Sequence, residues 1–226
     1  EGISEACEFL KIPVISGNVS LYNDTDGKPI YPSPMIGMAG IIENYKPLPA
    51  SFFTSTQLEI GILGSIEGGL GGSSFAYQWF HRDCGEPEAT DLPMTSRMIS
   101  VLRDLQKQKY AVCLQDISDG GLLLTLLEMG FHSKFPDIGM NVHFTSEVDS
   151  DRFLFGESVP RVVIAYEASD KTLIETLVVR YGIPFHAIGE TDDSQKLKVF
   201  QGKAKVLECS IPELKKDWLT KWERFF

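Results

Sequence analysis

Three short segments hold residues whose types and spacing could handle phosphate. The first is Ser16-Gly17-Asn18-Val19-Ser20. A glycine lets the backbone approach a phosphate closely. An asparagine amide oxygen is a hard ligand suited to Mg²⁺, and a serine hydroxyl can hold a substrate oxygen. The same five residues also read as a tight strand-exit turn. The second is Gly68-Gly69-Leu70-Gly71-Gly72-Ser73. It lacks the GK[ST] of a P-loop and is not a GxGxxG opening a dinucleotide-binding unit. Ahead of a helix it could bind an anion, or simply connect two elements. The third is Gln115-Asp116-Ile117-Ser118-Asp119-Gly120-Gly121, between a strand and an apolar helix. An acid there can cap the helix or hold Mg²⁺ on a nucleotide phosphate. Capping accounts for one acid; the second acid and the double glycine, Gly120-Gly121, tilt the loop toward function.

Other reactive side chains carry less. The histidines (81, 132, 143 and 186) show no HxxxH or HExxH spacing and read as surface or edge residues. Ser158 lacks the GxSxG elbow of a hydrolase. Glu157 and Arg161 stand four apart and could pair. Cys7, Cys84, Cys113 and Cys209 form no CxxC. Cys113, in an apolar run, reads as a small buried hydrophobe. Unpaired cysteines suit a reducing cytoplasm.

The charge balance narrows the partners. With 31 acidic and 21 basic residues the net charge is −10. Phosphate-backbone binding needs a surplus of Lys and Arg, so nucleic acid and anionic membrane are excluded as expected partners. No stretch approaches the ~20 apolar residues of a membrane span. At 226 residues and 43% hydrophobic content, the chain can bury a sizeable core.

The positioning elements follow from periodicity. Strands are expected over 12–15, 35–43, 58–63, 111–114, 139–144, 161–166, 183–188 and 196–200. Helices are expected over 73–80, 95–109, 122–129 and 170–181. Gly130 and Gly182 are expected to close two of them, and 81–93 is expected as a surface loop. Ser210-Ile-Pro-Glu213 fits a capping box, starting a helix with Leu214, Trp218, Trp222 and Phe225 on one face. Such alternation indicates an α/β or α+β layered fold, a mixed sheet packed with helices. Pro47 and Pro49 mark a boundary between residues 1–48 and 49–226. The chain opens on Glu1 without Met or a signal peptide, and residues 1–10 read as the last turns of an amphipathic helix. A piece of a longer protein is expected.

Taken together the segments resemble one family. Residues 6–7, Ile12-Pro13-Val14-Ile15-Ser16-Gly17-Asn18-Val19-Ser20-Leu21-Tyr22-Asn23 and Pro34-Met35-Ile36-Gly37-Met38-Ala39-Gly40 look like phosphoribosylformylglycinamidine synthase of the small-subunit type. Leu70-Gly71-Gly72-Ser73, Gln115 to Leu122 and Leu154-Phe155-Gly156-Glu157-Ser158 continue in the family's order. The glycine-serine and Asp-Gly-Gly segments are shared more widely, with aminoimidazole ribonucleotide synthetase and selenophosphate synthetase. The latter is disfavoured because Cys7 is not in a glycine loop.

The resemblance implies that residues 1–48 are the end of an N-terminal-type domain of the aminoimidazole ribonucleotide synthetase-like fold, and 49–226 a complete C-terminal-type domain. It implies an ATP- and Mg²⁺-dependent ligase of purine biosynthesis. ATP phosphorylates the formamide oxygen of formylglycinamide ribonucleotide, and ammonia displaces the phosphate. Carried over by motif, Gly17 contacts ATP, Asn18 ligates Mg²⁺ and Ser20 touches substrate, and the family's pseudo-symmetry implies an auxiliary nucleotide or phosphate loop at Asp116, Asp119, Gly120 and Gly121. The implied partners are the enzyme's N-terminal half, a glutaminase subunit and a small accessory subunit. The family's catalytic histidine and most of its metal carboxylates lie in that N-terminal half, so this chain alone is expected to be inactive; the truncated first domain would leave apolar surface exposed, so the chain is also expected to self-associate. The competing expectation is a non-catalytic scaffold that docks partner subunits.

Overall fold

A computed structural model describes residues 1–18, 23–30, 34–41 and 48–223. The chain divides into two compact units, Glu1–Pro47 and Leu48–Phe226.

The first unit has a helix α1 (Gly2–Leu10) and short strands β1 (Ser16–Asn18), β2 (Asp24–Thr25), β3 (Lys28–Pro29) and β4 (Met35–Gly37). β1 pairs antiparallel with β4, and β2 with β3. The strand expected over 12–15 lies instead at 16–18, and the one expected over 35–43 ends at Gly37 in the described segment. The reason is burial: Ile12, Val14 and Ile15 are 39, 45 and 62% exposed. An apolar run that covers no core has no pleated face to fix its register.

The second unit contains β5 (Glu59–Leu63), α2 (Ser74–Phe80), α3 (Leu92–Gln108), β6 (Cys113–Asp116), α4 (Gly121–Phe131), β7 (Gly139–Phe144) and α5 (Ser150–Phe155). β8 (Val162–Tyr166), α6 (Lys171–Tyr181), β9 (Phe185–Asp192), β10 (Lys196–Gln201), β11 (Ala204–Ser210) and α7 (Ile211–Glu223) follow. Its seven-stranded sheet runs β11-β10-β7-β9-β5-β8-β6. β10 lies parallel to β7; the other pairs between these strands are antiparallel. The fold is thus α/β, a mixed sheet packed with helices.

Both faces of the sheet are covered, and the side chains sort by alternation. Ile60, Ile62, Val163 and Ala165 join Leu122, Leu126 and Met129 of α4, Phe153 of α5 and Ile211 of α7 in one core. Leu63, Val162, Ile164 and Tyr166 join Met98, Val101 and Leu105 of α3 and Ile174, Leu177 and Val178 of α6 in the other. Strands buried on both sides read as unbroken apolar runs, and Val162-Val163-Ile164-Ala165-Tyr166 is one.

Local chemistry sets the helix ends. Ser73 Oγ accepts from Ala76 N at 3.1 Å, Asp91 Oδ1 from Met94 N at 2.8 Å and Asp149 Oδ1 from Arg152 N at 2.9 Å. Asp91 starts α3 four residues before the expected Thr95, so Pro93 belongs to its first turn rather than to the loop. Gly182 closes α6 with φ +62°. Gly130 does not end α4, which runs to Phe131. It sits inside the helix, where an added Cβ would lie 3.4 Å from Met140 Cε and 3.5 Å from Ile211 Cγ2; packing, not a turn, accounts for it. Glu213 N donates to Ser210 Oγ at 3.4 Å at the start of α7. Leu214 and Trp218 pack on the first core. The expected apolar positions at 222 and 225 fall on side chains outside the described residues.

Candidate functional site

In the first unit, Gly17 stands opposite Ile36 and Asn18 opposite Met35 in the β1–β4 ladder. Gly17 is exposed. A Cβ added to it would meet Met35 O at 3.5 Å, ordinary contact. Packing therefore does not demand the glycine, and its effect is to leave a bare, accessible stretch of backbone. Asn18 is placed by its backbone, and Ser20 lies outside the described residues. Among the described residues no group of three or more His, Cys, Asp or Glu side chains could hold a metal ion. The one amide oxygen of Asn18 falls well short of the roughly six oxygens Mg²⁺ takes, so the described residues do not compose a magnesium site.

In the second unit the sheet brings three loops together. β5 and β6 both pair antiparallel with β8, and Leu63 and Asp116 both register with Val162. The exits of β5 and β6 and the entry to β8 therefore share one end of the sheet. Those exits are the glycine-rich loop 64–73 and the loop 117–120; the entry is segment 156–161.

Glu157 links two of these loops to the third. Its Oε1 accepts from Ser74 N at 2.9 Å and from Gly120 N at 2.7 Å. The acid that satisfies an N–H ahead of α4 thus comes from 37 residues downstream, not from the adjacent Asp116 or Asp119. Both aspartates are exposed. Asp116 Oδ1 accepts from Gln115 Nε2 at 3.1 Å, and α4 has no side-chain cap from its own N-cap residue Gly120. Gly120 and Gly121 take φ of +80° and +70°, a left-handed pair that other residues adopt at a cost.

The expected Glu157–Arg161 pair does not form. Arg161 is 2% exposed. Its Nε donates to Ser65 O at 2.9 Å, Nη1 to Gly156 O at 2.8 Å and Nη2 to Ile66 O at 3.0 Å. Burial pulls its pKa down to about 10, against the charges of Glu88 and Glu67, which hold it up. One guanidinium thereby ties the glycine-rich loop to segment 156–161. Gly68 and Gly156 meet there so closely that a Cβ added to Gly156 would lie 2.4 Å from Gly68 Cα.

A polar group completes the cluster. Gly69 N donates to Ser158 Oγ and that hydroxyl donates to Glu88 Oε2, each at 2.5 Å. Arg152 Nη2 donates to Glu88 Oε1 at 3.1 Å and Arg152 Nε lies 3.3 Å from Glu67 Oε2. Beside it lies an open apolar cavity of about 730 Å³, lined by Leu70, Phe75, Trp79, Phe80, Cys84 and Phe155 among others. Phe75 stacks on Phe155 at 4.6 Å. Trp79 is 71% exposed.

Sequence reasoning singled out the glycine loop, the 115–121 loop and segment 156–158 separately. It missed Arg152, Glu88 and the buried Arg161 as their connectors. The one local signal was an arginine opening an apolar strand, since a charge heading into a core needs partners.

Residues 59–202 match the family described as AIR synthase related protein, C-terminal domain. The chain is 34% identical over 216 residues to the phosphoribosylformylglycinamidine synthase subunit PurL of Carboxydothermus hydrogenoformans, covering 95% of this chain and 29% of that one. It is 32% identical to PurL of Aquifex aeolicus, covering 99% of this chain and 30% of that one. Among solved structures, Thermotoga maritima PurL complexed with ATP superposes with a TM-score of 0.60 at 16% identity, covering 74% of this chain and 27% of that one. The same enzyme complexed with FGAR gives 0.58 at 19% identity, covering 74% of this chain and 29% of that one. These superpositions speak for the fold. The chain spans less than a third of the length of the curated relatives named here.

Proposed function

The chain belongs to the AIR synthase related protein C-terminal domain family, and from that membership we propose that it is the C-terminal part of a phosphoribosylformylglycinamidine synthase. The observation that carries this reading is similarity to PurL at 32–34% identity over nearly the whole chain. On this reading residues 1–48 are the end of an N-terminal-type domain and 49–226 a C-terminal-type domain. The family match at 59–202, wholly within the second, supports the division.

Phosphoryl transfer depends mainly on positioning and charge stabilisation. The proposed division of labour follows from the side chains. Gly17 offers exposed backbone to the ATP phosphates. Asn18 contributes one amide oxygen toward Mg²⁺, the remaining ligands coming from the enzyme's N-terminal half. Ser20 holds substrate through its hydroxyl. The Asp116–Gly121 loop is an auxiliary phosphate loop only if an anion displaces Glu157 from Gly120 N. The enzyme's partners are then its N-terminal half, a glutaminase subunit and a small accessory subunit, in the cytoplasm. A solved PurLQS structure from Thermotoga maritima supports the existence of such an assembly in the family.

The test is ammonia-dependent ADP release with MgATP and formylglycinamide ribonucleotide, using the chain alone and mixed with the N-terminal half. Activity confined to the mixture is expected, and its loss on Asn18→Ala and Ser20→Ala. Turnover by the chain alone would overturn the division of labour. A second reading, a non-catalytic scaffold that docks partners, is favoured by exposed Tyr77, Trp79 and Phe80 on α2. It predicts no rise in Tm with MgATP and no effect of either substitution on the mixture.

A further inference from the structure

Between His81, which closes α2 with φ +54°, and Asp91, which caps α3, the chain crosses the glycine-rich loop as a strap. Apart from Cys84, residues 82–90 are all exposed, and none joins either core. Such a segment has little apolar burial to hold it in place. Its seat is the glycine loop. Gly72 N donates to Cys84 O at 2.9 Å, and a Cβ added to Gly71 would strike the Glu86 backbone. Glu88 then reaches Ser158 Oγ and Arg152 Nη2.

The donor set around Glu88 is an oxyanion receptor by its chemistry. A hydroxyl and a guanidinium hold the two carboxylate oxygens separately, and charge-assisted bonds of this kind are the strong ones. Two guanidiniums, Arg152 and Arg161, face the carboxylates of Glu67 and Glu88, and the Glu157 carboxylate sits on backbone N–H groups next to Ser158. Lifting Glu88 leaves two guanidiniums against two carboxylates, and it frees the Ser158 hydroxyl and Arg152 Nη2 to take another oxyanion. Of the three acids, Glu88 is the one carried on the exposed strap.

We propose that Glu88 is an internal stand-in for a ligand phosphate group, and that a phosphate binding to Ser158, Arg152 and the Gly69 turn displaces it and lifts the strap at 82–90. This is independent of the reading of the chain as part of an ATP-dependent ligase.

The probe is inorganic phosphate, titrated against the whole 226-residue chain, with sodium chloride at matched ionic strength as the reference. Hydrogen exchange of residues 82–90 and calorimetric affinity are the readouts. Phosphate, and not chloride, is expected to speed exchange in the strap. Glu88→Gln should tighten phosphate binding about tenfold, as loss of one charge-assisted competitor implies, and Ser158→Ala in that background should abolish it. Gly69→Ala provides a second opener: its Cβ would lie 2.7 Å from Glu88 Cγ and push that flexible side chain away. Equal effects of phosphate and chloride, or phosphate binding that survives Ser158→Ala, would overturn the proposal.

Discussion

Glu157 satisfies two backbone donors, one opening α2 and one ahead of α4, so its removal should be felt twice. Glu157→Ala leaves Ser74 N and Gly120 N without that acceptor and should cost about 1–3 kcal/mol. Glu157→Gln keeps an acceptor oxygen and should recover most of that loss; urea midpoints of the two variants check it. Arg161 is the harsher case. Arg161→Met strips donors from the carbonyls of Ser65, Ile66 and Gly156. A loss of about 3–5 kcal/mol is expected, and Arg161→Lys should restore part of it, lacking the planar fork. On the surface, hydrogen bonds from Lys196 and then Lys205 hold Glu208 at about 2, below the ordinary 4.5. A depressed carboxylate stabilises the folded state above its unfolded pKa. That contribution is lost as pH falls from about 4.5 toward about 2. Tm measured against pH should fall less steeply in this window for Glu208→Gln. An unchanged slope would mean the pair forms equally in the unfolded chain.

Glycines at helix ends separate two kinds of demand at the level of the element. At Gly182, after α6, φ is +62° and an added Cβ meets nothing within 4 Å. Gly182→Ala should cost about 1 kcal/mol, for the left-handed backbone alone. At Gly121, φ is +70° and the Cβ would lie 2.6 Å from the Phe155 backbone. Gly121→Ala should cost more than twice as much, and thermal unfolding of the two variants side by side decides it. Such differences explain what was legible in the sequence. Elements whose signal is local read well: β7 at 139–144 and the Gly182 end of α6 coincide with expectation. α5 went unread because six residues are too few for a period, although Asp149 three residues before Arg152 is a cap signal. β11 went unread because an edge strand buries little, and Lys205 and Glu208 mask its alternation. The glycine loop's role was open, since its partners Arg152, Glu157 and Arg161 lie more than 80 positions downstream of Gly68.

At the scale of the whole molecule the two units differ in what holds them. Every buried residue among those described lies between Phe53 and Ile211, and α1 buries none. A chain beginning at Leu48 should therefore unfold in one cooperative transition. Its urea m-value should be close to that of the full chain, because m follows the surface exposed on unfolding. A much smaller m would place part of the cooperative core before Leu48. The Glu157 bridge also has a consequence for synthesis on the ribosome. Ser74 precedes its acceptor by 83 residues. At ~5–20 residues per second, the ribosome takes about 4–17 s to make that stretch. During that interval the nascent glycine loop has neither its carboxylate nor its arginine, and the first 150 residues cannot complete the sheet end they will later share.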